Sequence, residues 1–444
     1  MIQALRNAMT LPDLRRKLLY TLLILIIYRL ASHVPVPGVD QVALQDLLGG
    51  RGGASQLFNL LDLLSGGAMA NFSVMANGVY PYITASIIFT LLIPIFPRLE
   101  QLAEEGEAGR RKLNQWQYYV TIPLAMLQAF GQARIFSAGT GGRPILPHFG
   151  FSPPENILPT VAVLVAMTAG TMFAIWLGDL ITEQGIGNGL SLIIFSGIVS
   201  SVPQNLVRIW TQATVEGSVG RGILTLGVFL AITAITVFVI VIVQEGERRI
   251  PVQYGKRVRG IKMYRGGSTH IPLRINTAGM IPLIFAQSIL TFPAVIAQFF
   301  AASENAAVSE FAANVMNFFS GQSPWYGLLY FLAVVGFTYF YTDVMVQQQD
   351  LPGALQRQGG FIPGIRPGKR TADYINSVYR RITLIGALFL GGVAVLPFIV
   401  DLFLQTRVLL ITSSGLLIVV GVVLDTMRQL EAQLLMRHYE GFIK

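Results

Sequence analysis

"ILTLGVFLAITAITVFVIVIV" runs from Ile223 to Val243 without a charged residue. The stretch is 21 residues long. As a helix rising 1.5 Å per residue it reaches about 31 Å, close to the roughly 30 Å hydrocarbon thickness of a bilayer. It predicts a membrane-spanning helix, and the rest of the chain agrees. Hydrophobic residues make up 53% of the 444 positions and charged residues only 12%, with mean hydropathy +0.58. A soluble domain carries roughly 25% charged residues, so the chain reads as an integral membrane protein. With no cysteine, disulfides and thiolate metal sites are excluded.

Outward from that stretch, ten segments are apolar enough to cross: about 18–34, 74–96, 117–137, 156–178, 186–203, 219–243, 273–300, 323–343, 380–403 and 408–427. The fifth is short and Gly-rich, and the seventh holds Pro282 and Pro293. Spanning helices tolerate both residue types because neighbours re-satisfy the freed backbone groups. The first apolar run continues through Tyr28, Arg29 and Leu30 into "PVPG" with no small-residue cleavage site, so it reads as a retained span.

With the N-terminus placed inside, 25 Lys and Arg fall on the inner side and six on the outer, with Arg29 left near the outer end of the first span. The positive-inside rule then puts both termini in the cytoplasm. Ten spans divide into two fives, 1–210 and 211–444, which an odd number per half would set in opposite orientations as inverted repeats.

Ion-coupled carriers need ionisable groups near the bilayer centre, and the middles of these spans are nearly free of charge. Asp179, Asp343 and Asp425 fall at helix ends, where snorkelling to the interface explains most such groups. His33, His148, His270 and His438 are scattered without metal-ligand spacing, and no phosphate-binding loop is present. "GIGNGLS" (185–191) offers a serine without a general base nearby in sequence, and close helix packing explains its glycines. A passive conduit, an inverted-repeat solute transporter and a lipid-scrambling scaffold stay open. A midspan charge pair would favour the second and a polar stripe along one span the third, and neither is visible.

Two stretches bear on a conduit. "ASQLFNLLDLLSGGAMANFS" (54–73) is too short to span, and its apolar positions Leu57, Phe58, Leu60, Leu61, Leu63 and Leu64 make a short amphipathic helix broken at Gly66 and Gly67. It reads as an interfacial or re-entrant segment. "GVYPYITASIIFTLLIPIF" (78–96) carries Val79, Ile83 and Ile87 at four-residue spacing on one face. Such a stripe serves packing, or forms part of an apolar constriction that gates by dewetting.

Over essentially the whole chain these residues resemble the SecY family of bacterial protein-translocation channels. The resemblance is carried by "PVPGVD", "LFNLLDLLSGGA", "GVYPYITASII", "EGEAGRRKLNQ", "GTMFAIWLGDLITEQGIGNGLSLIIFSGIV", "STHIPLRINTAGMIPLIFAQSI", "FIPGIRPGKRTADYI" and "GLLIVVGVVLDTM". It implies an all-α polytopic fold of ten helices in two inverted halves around an hourglass pore in the bacterial cytoplasmic membrane. It implies passage of unfolded polypeptide and sideways release of apolar helices into lipid, with no catalytic residue, metal or cofactor. The pore ring falls on Val79, Ile83, Leu190, Ile194, Ile284 and Ile418, with Val79 and Leu190 standing where the family carries isoleucine. The plug falls on about 57–70, the mobile wall on spans two and three against seven and eight, with Thr84, Ser86, Asn276, Thr277 and Gln287 as its polar positions. The basic loops at about 244–272 and 344–379 dock a partner ATPase of the SecA type or a translating ribosome, through Lys256, Arg257, Arg259, Arg357, Arg366, Lys369 and Arg370. Small membrane subunits of the SecE and SecG type, signal peptides, nascent chains and membrane lipid complete the implied partners.

Overall fold

The computed structural model describes residues 10–40, 42–44, 68–69, 71–138, 145–150, 153–215, 219–254, 257–259, 262–264, 267–301, 305–319, 324–349, 351–404 and 412–440. Each of the ten predicted stretches holds a helix: α1 (Pro12–Ala31), α2 (Tyr80–Leu92), α4 (Glu107–Ala138), α5 (Ile157–Gln184), α6 (Gly189–Val215), α7 (Val219–Glu245), α8 (Ile281–Ala301), α10 (Pro324–Gln349), α12 (Lys369–Leu404) and α13 (Thr412–Glu440). Three shorter helices intervene: α3 (Pro97–Glu104), α9 (Ala306–Phe319) and α11 (Leu351–Gln358).

Among the described residues, four stretches are long and apolar enough to cross on their own: Pro154–Gln184, Gly222–Glu245, Trp325–Gln358 and Lys369–Leu396. The stretches of α6 and α8 that pass for apolarity are shorter, Gly189–Pro203 and Ile281–Ala294. α1 and α4 carry basic residues at their ends because the helices continue beyond the hydrocarbon, as Arg15, Arg16 and Lys17 on α1 illustrate. The family of exposed apolar residues on α7, including Leu224, Ile235 and Phe238, is the surface a bilayer would cover.

α2 begins at Tyr80, later than the apolar run that suggested 74. Gly78 adopts φ +54 and Pro81 occupies the first turn. Only glycine takes that backbone conformation without strain, and proline is pre-set for a helix start. At its other end α2 meets α3 at a bend of 107°, where Pro97 starts the new helix.

The chain clusters into two compact units, one of Met1–Leu226, Ser288–Tyr326 and Ile418–Lys444, the other of Gly227–Gln287 and Gly327–Leu417. The first has a core in which Val36, Met69, Phe72, Ile145, Val163 and Met167 are buried together. In the second, the loop after α7 is built as sheet. β1 (Glu247–Tyr254) pairs antiparallel with β4 (Ser268–Arg274), from Glu247 opposite Arg274 to Gln253 opposite Ser268. Ile250 and Val252 on β1 and Leu273 on β4 are buried, with β1's exposed residues between, the period-two pattern of a half-buried strand. A small hairpin, β2 (Arg257–Arg259) with β3 (Lys262–Tyr264), lies between them in sequence.

β5 (Gly360–Phe361) comes from the loop after α11 and joins the other edge of β1, giving the order β4-β1-β5. The two long basic loops therefore share one sheet. Val346 from α10, Leu355 from α11 and Ile375 and Tyr379 from α12 close a core beneath it with Ile250, Val252 and Leu273.

Candidate functional site

In the first unit the chain ahead of α2 lies in irregular conformation, yet it is buried. Ala68, Met69, Phe72, Ser73, Met75, Ala76, Asn77 and Val79 are all inside. Backbone bonds join two segments here: Val36 N–H donates to the Phe72 carbonyl at 3.1 Å and Val74 N–H to the Val34 carbonyl at 2.9 Å. The Asn77 side-chain amide donates to the Ala125 carbonyl on α4 at 3.1 Å. A Cβ on Gly170 would overlap the Val74 carbonyl. Gly170 stands thirteen residues into α5, about 20 Å by helical rise, so this irregular segment sits at membrane depth. Non-helical backbone is tolerated there because protein, rather than lipid, surrounds it. Val79 ends this segment and Ile83 follows one turn later, half-buried.

The turn between α5 and α6 is the "GIGNG" stretch, and the structure explains its residues by packing. Gly187 adopts φ +94. Four side chains hold the turn's amides: Thr21 accepts from Ile186 N–H at 3.2 Å, Gln429 from Gly187 N–H at 3.0 Å, Thr182 from Gly189 N–H at 2.9 Å and Asn188 from Ser191 N–H at 3.1 Å. Asn188 thereby caps α6. α1, α5 and α13 thus converge on one turn. A Cβ on Gly189 would overlap the carbonyl of Gly178, and Leu190 lies against Gly178 itself, 2.8 Å from where that residue's Cβ would be.

These contacts fix where the apolar candidates stand. A Cβ on Gly187 would sit 3.0 Å from Thr426 Oγ1, so α13 passes the turn at Thr426. Ile194 lies five residues along α6 from Gly189 and Ile418 eight residues along α13 from Thr426, roughly 8 and 12 Å by helical rise. Both are buried, at 3% and 1% exposure. Five of the six ring candidates belong to the first unit; Ile284, 7% exposed on α8, belongs to the second.

Of the polar wall candidates, Thr84 and Ser86 lie on α2 in the first unit. Thr84 Oγ1 donates back to the Tyr80 carbonyl at 3.1 Å, and the Ser86 carbonyl accepts from Thr90. Asn276, Thr277 and Gln287 lie in the second unit. Asn276 is buried and donates to the Gly279 carbonyl at 3.0 Å, Thr277 Oγ1 donates to the Arg274 carbonyl at 3.0 Å, and Gln287 is 4% exposed. The plug candidates Leu57, Phe58, Leu60, Leu61, Leu64, Gly66 and Gly67 lie outside the described residues, as does Lys256.

The basic candidates sit on the sheet-bearing body of the second unit. Arg257 and Arg259 occupy β2, and Arg357 the last turn of α11. Arg366, Lys369 and Arg370 are exposed. Gly364 at φ +84 and Gly368 at φ +107 bracket Arg366, and its carbonyl accepts from Thr371 Oγ1 at 3.0 Å. The guanidinium is presented by a short loop with two left-handed glycine corners.

Two features escaped the sequence reading. Asp179 accepts a 2.7 Å hydrogen bond from Tyr118 across α4 and α5, so it is held by protein where snorkelling was expected. The alternation in "RIPVQY" and "THIPLR" was the available signal for the sheet. Among the described residues no group of three or more His, Asp or Glu is placed to hold a metal.

A family model described as SecY matches residues 73–427. The protein translocase subunit SecY of Streptomyces galbus is 41% identical over 451 aligned residues, covering all of both chains. The subunit of the same name from Thermus thermophilus is 42% identical, covering 100% of this chain and 98% of that one. A solved structure of a protein-conducting channel aligns with TM-score 0.61 at 16% identity, covering 94% of this chain and 91% of the other. Sec61 in the canine ribosome–channel complex aligns with TM-score 0.61 at 17% identity and the same coverage.

Proposed function

We propose, from the premise that this chain belongs to the SecY family, a residue-level account of how it works as a protein-conducting channel. The chain is the multi-pass channel subunit of a protein translocase; it performs no catalysis itself, and energy comes from a partner. The constriction is the ring of Val79, Ile83, Leu190, Ile194, Ile284 and Ile418. The observation that supports this is the pinned α5–α6 turn, which ties α13 to the start of α6, the two helices that carry the buried aliphatic side chains of Ile194 and Ile418.

Such a ring suits its cargo. A translocating chain presents every side-chain type, and a pore lined with specific binding groups would retain some of them. A thin apolar ring gives water and ions little to bind, and closes around whatever passes. Residues 57–70 close the outer funnel as a plug, and Thr84, Ser86, Asn276, Thr277 and Gln287 line the wall that parts toward lipid. The two halves, 1–210 and 211–444, are the inverted repeats that hinge this wall.

The membrane is the bacterial cytoplasmic one, with both termini inside, as the basic asymmetry supports. Small subunits of the SecE and SecG type brace the channel. Lys256, Arg257, Arg259, Arg357, Arg366, Lys369 and Arg370 dock the SecA ATPase or the ribosome, whose RNA phosphates would make attachment fall steeply with salt. β4 leads into α8 through only a few residues, so docking force on the sheet is delivered to a wall of the pore.

Reconstitution tests the reading. Vesicles holding this chain, its small subunits and the ATPase should protect a secretory precursor from protease when ATP is added. A precursor that stays fully digestible under those conditions sinks it. Exchanging Ile194 and Ile418 for serine should raise ion leak through the resting channel while precursor transport continues; an unchanged leak removes these residues from the constriction.

A further inference from the structure

α9 (Ala306–Phe319) carries none of the ring, plug, wall or docking residues. Its 14 residues rise about 21 Å, short of the roughly 30 Å of a bilayer core. Asn305 starts it: its Oδ1 accepts from Ala307 N–H at 3.2 Å and its carbonyl from Ser309 N–H at 3.0 Å, as a helix cap does. Helical spacing then sorts the side chains into three faces. Ala312 and Phe319, seven apart, turn inward. Ala312 is 2% exposed, and Phe319 packs on the first unit's core, against the group that holds Met167 of α5 and Ala294 of α8. Glu310, Asn314 and Asn317, at steps of four and three, make an exposed polar face. Val308, Phe311 and Phe318, at steps of three and seven, make an exposed apolar face, with Phe311 71% uncovered.

The neighbouring helices say what covers this third face. Single exposed apolar residues are ordinary, but aligned on one helix face they mark an interaction surface. α8 ends at Ala301, just ahead of α9. Its Ile289, Phe292, Ile296 and Phe300 follow steps of three and four on one exposed face, the surface that lipid covers on a spanning helix. On the other side of α9, exposed Trp325 stands in the first turn of α10, and tryptophan gathers at membrane–water interfaces. The apolar face of α9 therefore continues a surface already turned to the bilayer. α8 leaves the basic loop at its N-terminal end, so α9 lies at the opposite, outer interface; that placement rests on the cytoplasmic position of the basic loops proposed for the channel. Charge sets how the helix is held. No Lys or Arg occurs from 275 to 356, and Glu310 is the one charged residue of α9. Attraction to anionic headgroups, the usual second hold on an interfacial helix, is absent, and burial of apolar surface is what remains.

We propose that α9 is an in-plane anchor in the outer leaflet, with Phe311 and Phe318 at the boundary of acyl chains and headgroups and with Glu310, Asn314 and Asn317 toward water. It fixes the depth of the outer end of α8 through contact with uncharged lipid.

The chain has no cysteine, so a single introduced thiol carries a spin label without further change. Phe311→Cys, Phe318→Cys and Asn314→Cys are made in the full chain and placed in phosphatidylcholine vesicles. Collisions of each label with oxygen, which concentrates among acyl chains, are compared with collisions with a water-soluble nickel chelate. The oxygen-to-nickel ratio should be severalfold higher at 311 and 318 than at 314, and should stay the same when phosphatidylglycerol is added or salt is raised. Two reporters on the apolar face keep the test intact if one substitution fails to fold. Ratios at 311 and 318 as low as at 314 would mean that water bathes the face. Shielding from both agents would mean that a second protein surface covers it. A ratio that rises with phosphatidylglycerol would mean that charge holds the helix. Each of these overturns the proposal. A membrane-impermeant thiol reagent tests the premise separately: Asn314→Cys should react from the outer side. Reaction from the side on which Arg366→Cys reacts would overturn the outer placement through the topology, whatever the collision ratios show.

Discussion

Gly189 is the position where the geometry of the turn can be tested with a single methyl group. A Cβ there falls on the carbonyl oxygen of Gly178. That oxygen belongs to helix backbone, so it cannot rotate aside as a side chain would, and α5 and α6 must separate instead. Overpacking of this kind costs about 1–3 kcal/mol. Alanine repays part of it, since glycine in a helix is less favourable by up to about 1 kcal/mol. Steric cost wins, and Gly189→Ala should be destabilised by about 1–2 kcal/mol, a roughly five- to thirtyfold shift in the folding equilibrium. Gly227→Ala is the matched control, because nothing lies within 4 Å of its Cβ. The same chemical change should there be neutral or stabilising. Thermal unfolding in detergent should therefore move in opposite directions for the two variants. Since Leu190 and Ile194 ride on the displaced helix, vesicles holding Gly189→Ala should also leak ions faster than those holding Gly227→Ala. A Gly189→Ala protein whose midpoint rises would refute the clash, and one that is destabilised yet tight would refute the link between turn and seal.

Thr21→Val removes the acceptor of the buried Ile186 amide and should cost about 1–3 kcal/mol, visible as a lower thermal midpoint, while Thr21→Ser should keep most of the stability. Arg366→Glu should cut ATP-driven translocation about tenfold or more, the worth of a charge-assisted contact to a partner, with the midpoint and resting ion leak of wild type; full translocation would remove Arg366 from docking. Gly360→Val places methyl groups where even a Cβ stands 3.1 Å from Tyr254 and 3.2 Å from Leu355. Hydrogen exchange at 247–254 should speed up as β5 leaves β1, and unchanged protection would mean the third strand holds by other contacts.

The spans were legible because the bilayer dictates their length. Ile223–Val243 has no other sensible fate, and the helices found in all ten segments follow from the same constraint. Their ends were not. The membrane sets no boundary at Glu107, where a charged stretch continues α4 as helix, and the apolar run into α2 hides five buried residues of turn, Met75–Val79, before Tyr80. What separates the two is backbone conformation at Gly78, which hydropathy does not register. The four-residue steps of Val79 and Ile83 and of Leu190 and Ile194 are visible in sequence, but the placement of Leu190 on α6 against α5 depends on the close contacts of Gly178 and Gly189. Asp179 shows the same gap from the other side: its partner, Tyr118, is 61 residues away. The sheet was overlooked because a chain dominated by spans invites reading every basic loop as irregular, although Ile250 and Val252 alternate as a strand requires.

The pairing of β1 with β5 also gives the molecule a clock. β1 and β4 are close in sequence and can zip together as soon as both have been made. β5 arrives only after α8, α9, α10 and α11 have been synthesised, roughly a hundred residues and so about 5–20 s later at ordinary elongation rates. Until Gly360 and Phe361 reach Tyr254 and Gln253, the surface that carries Arg366 is incomplete. A half-made copy of this channel therefore lacks the finished three-stranded sheet beside which Arg366 stands.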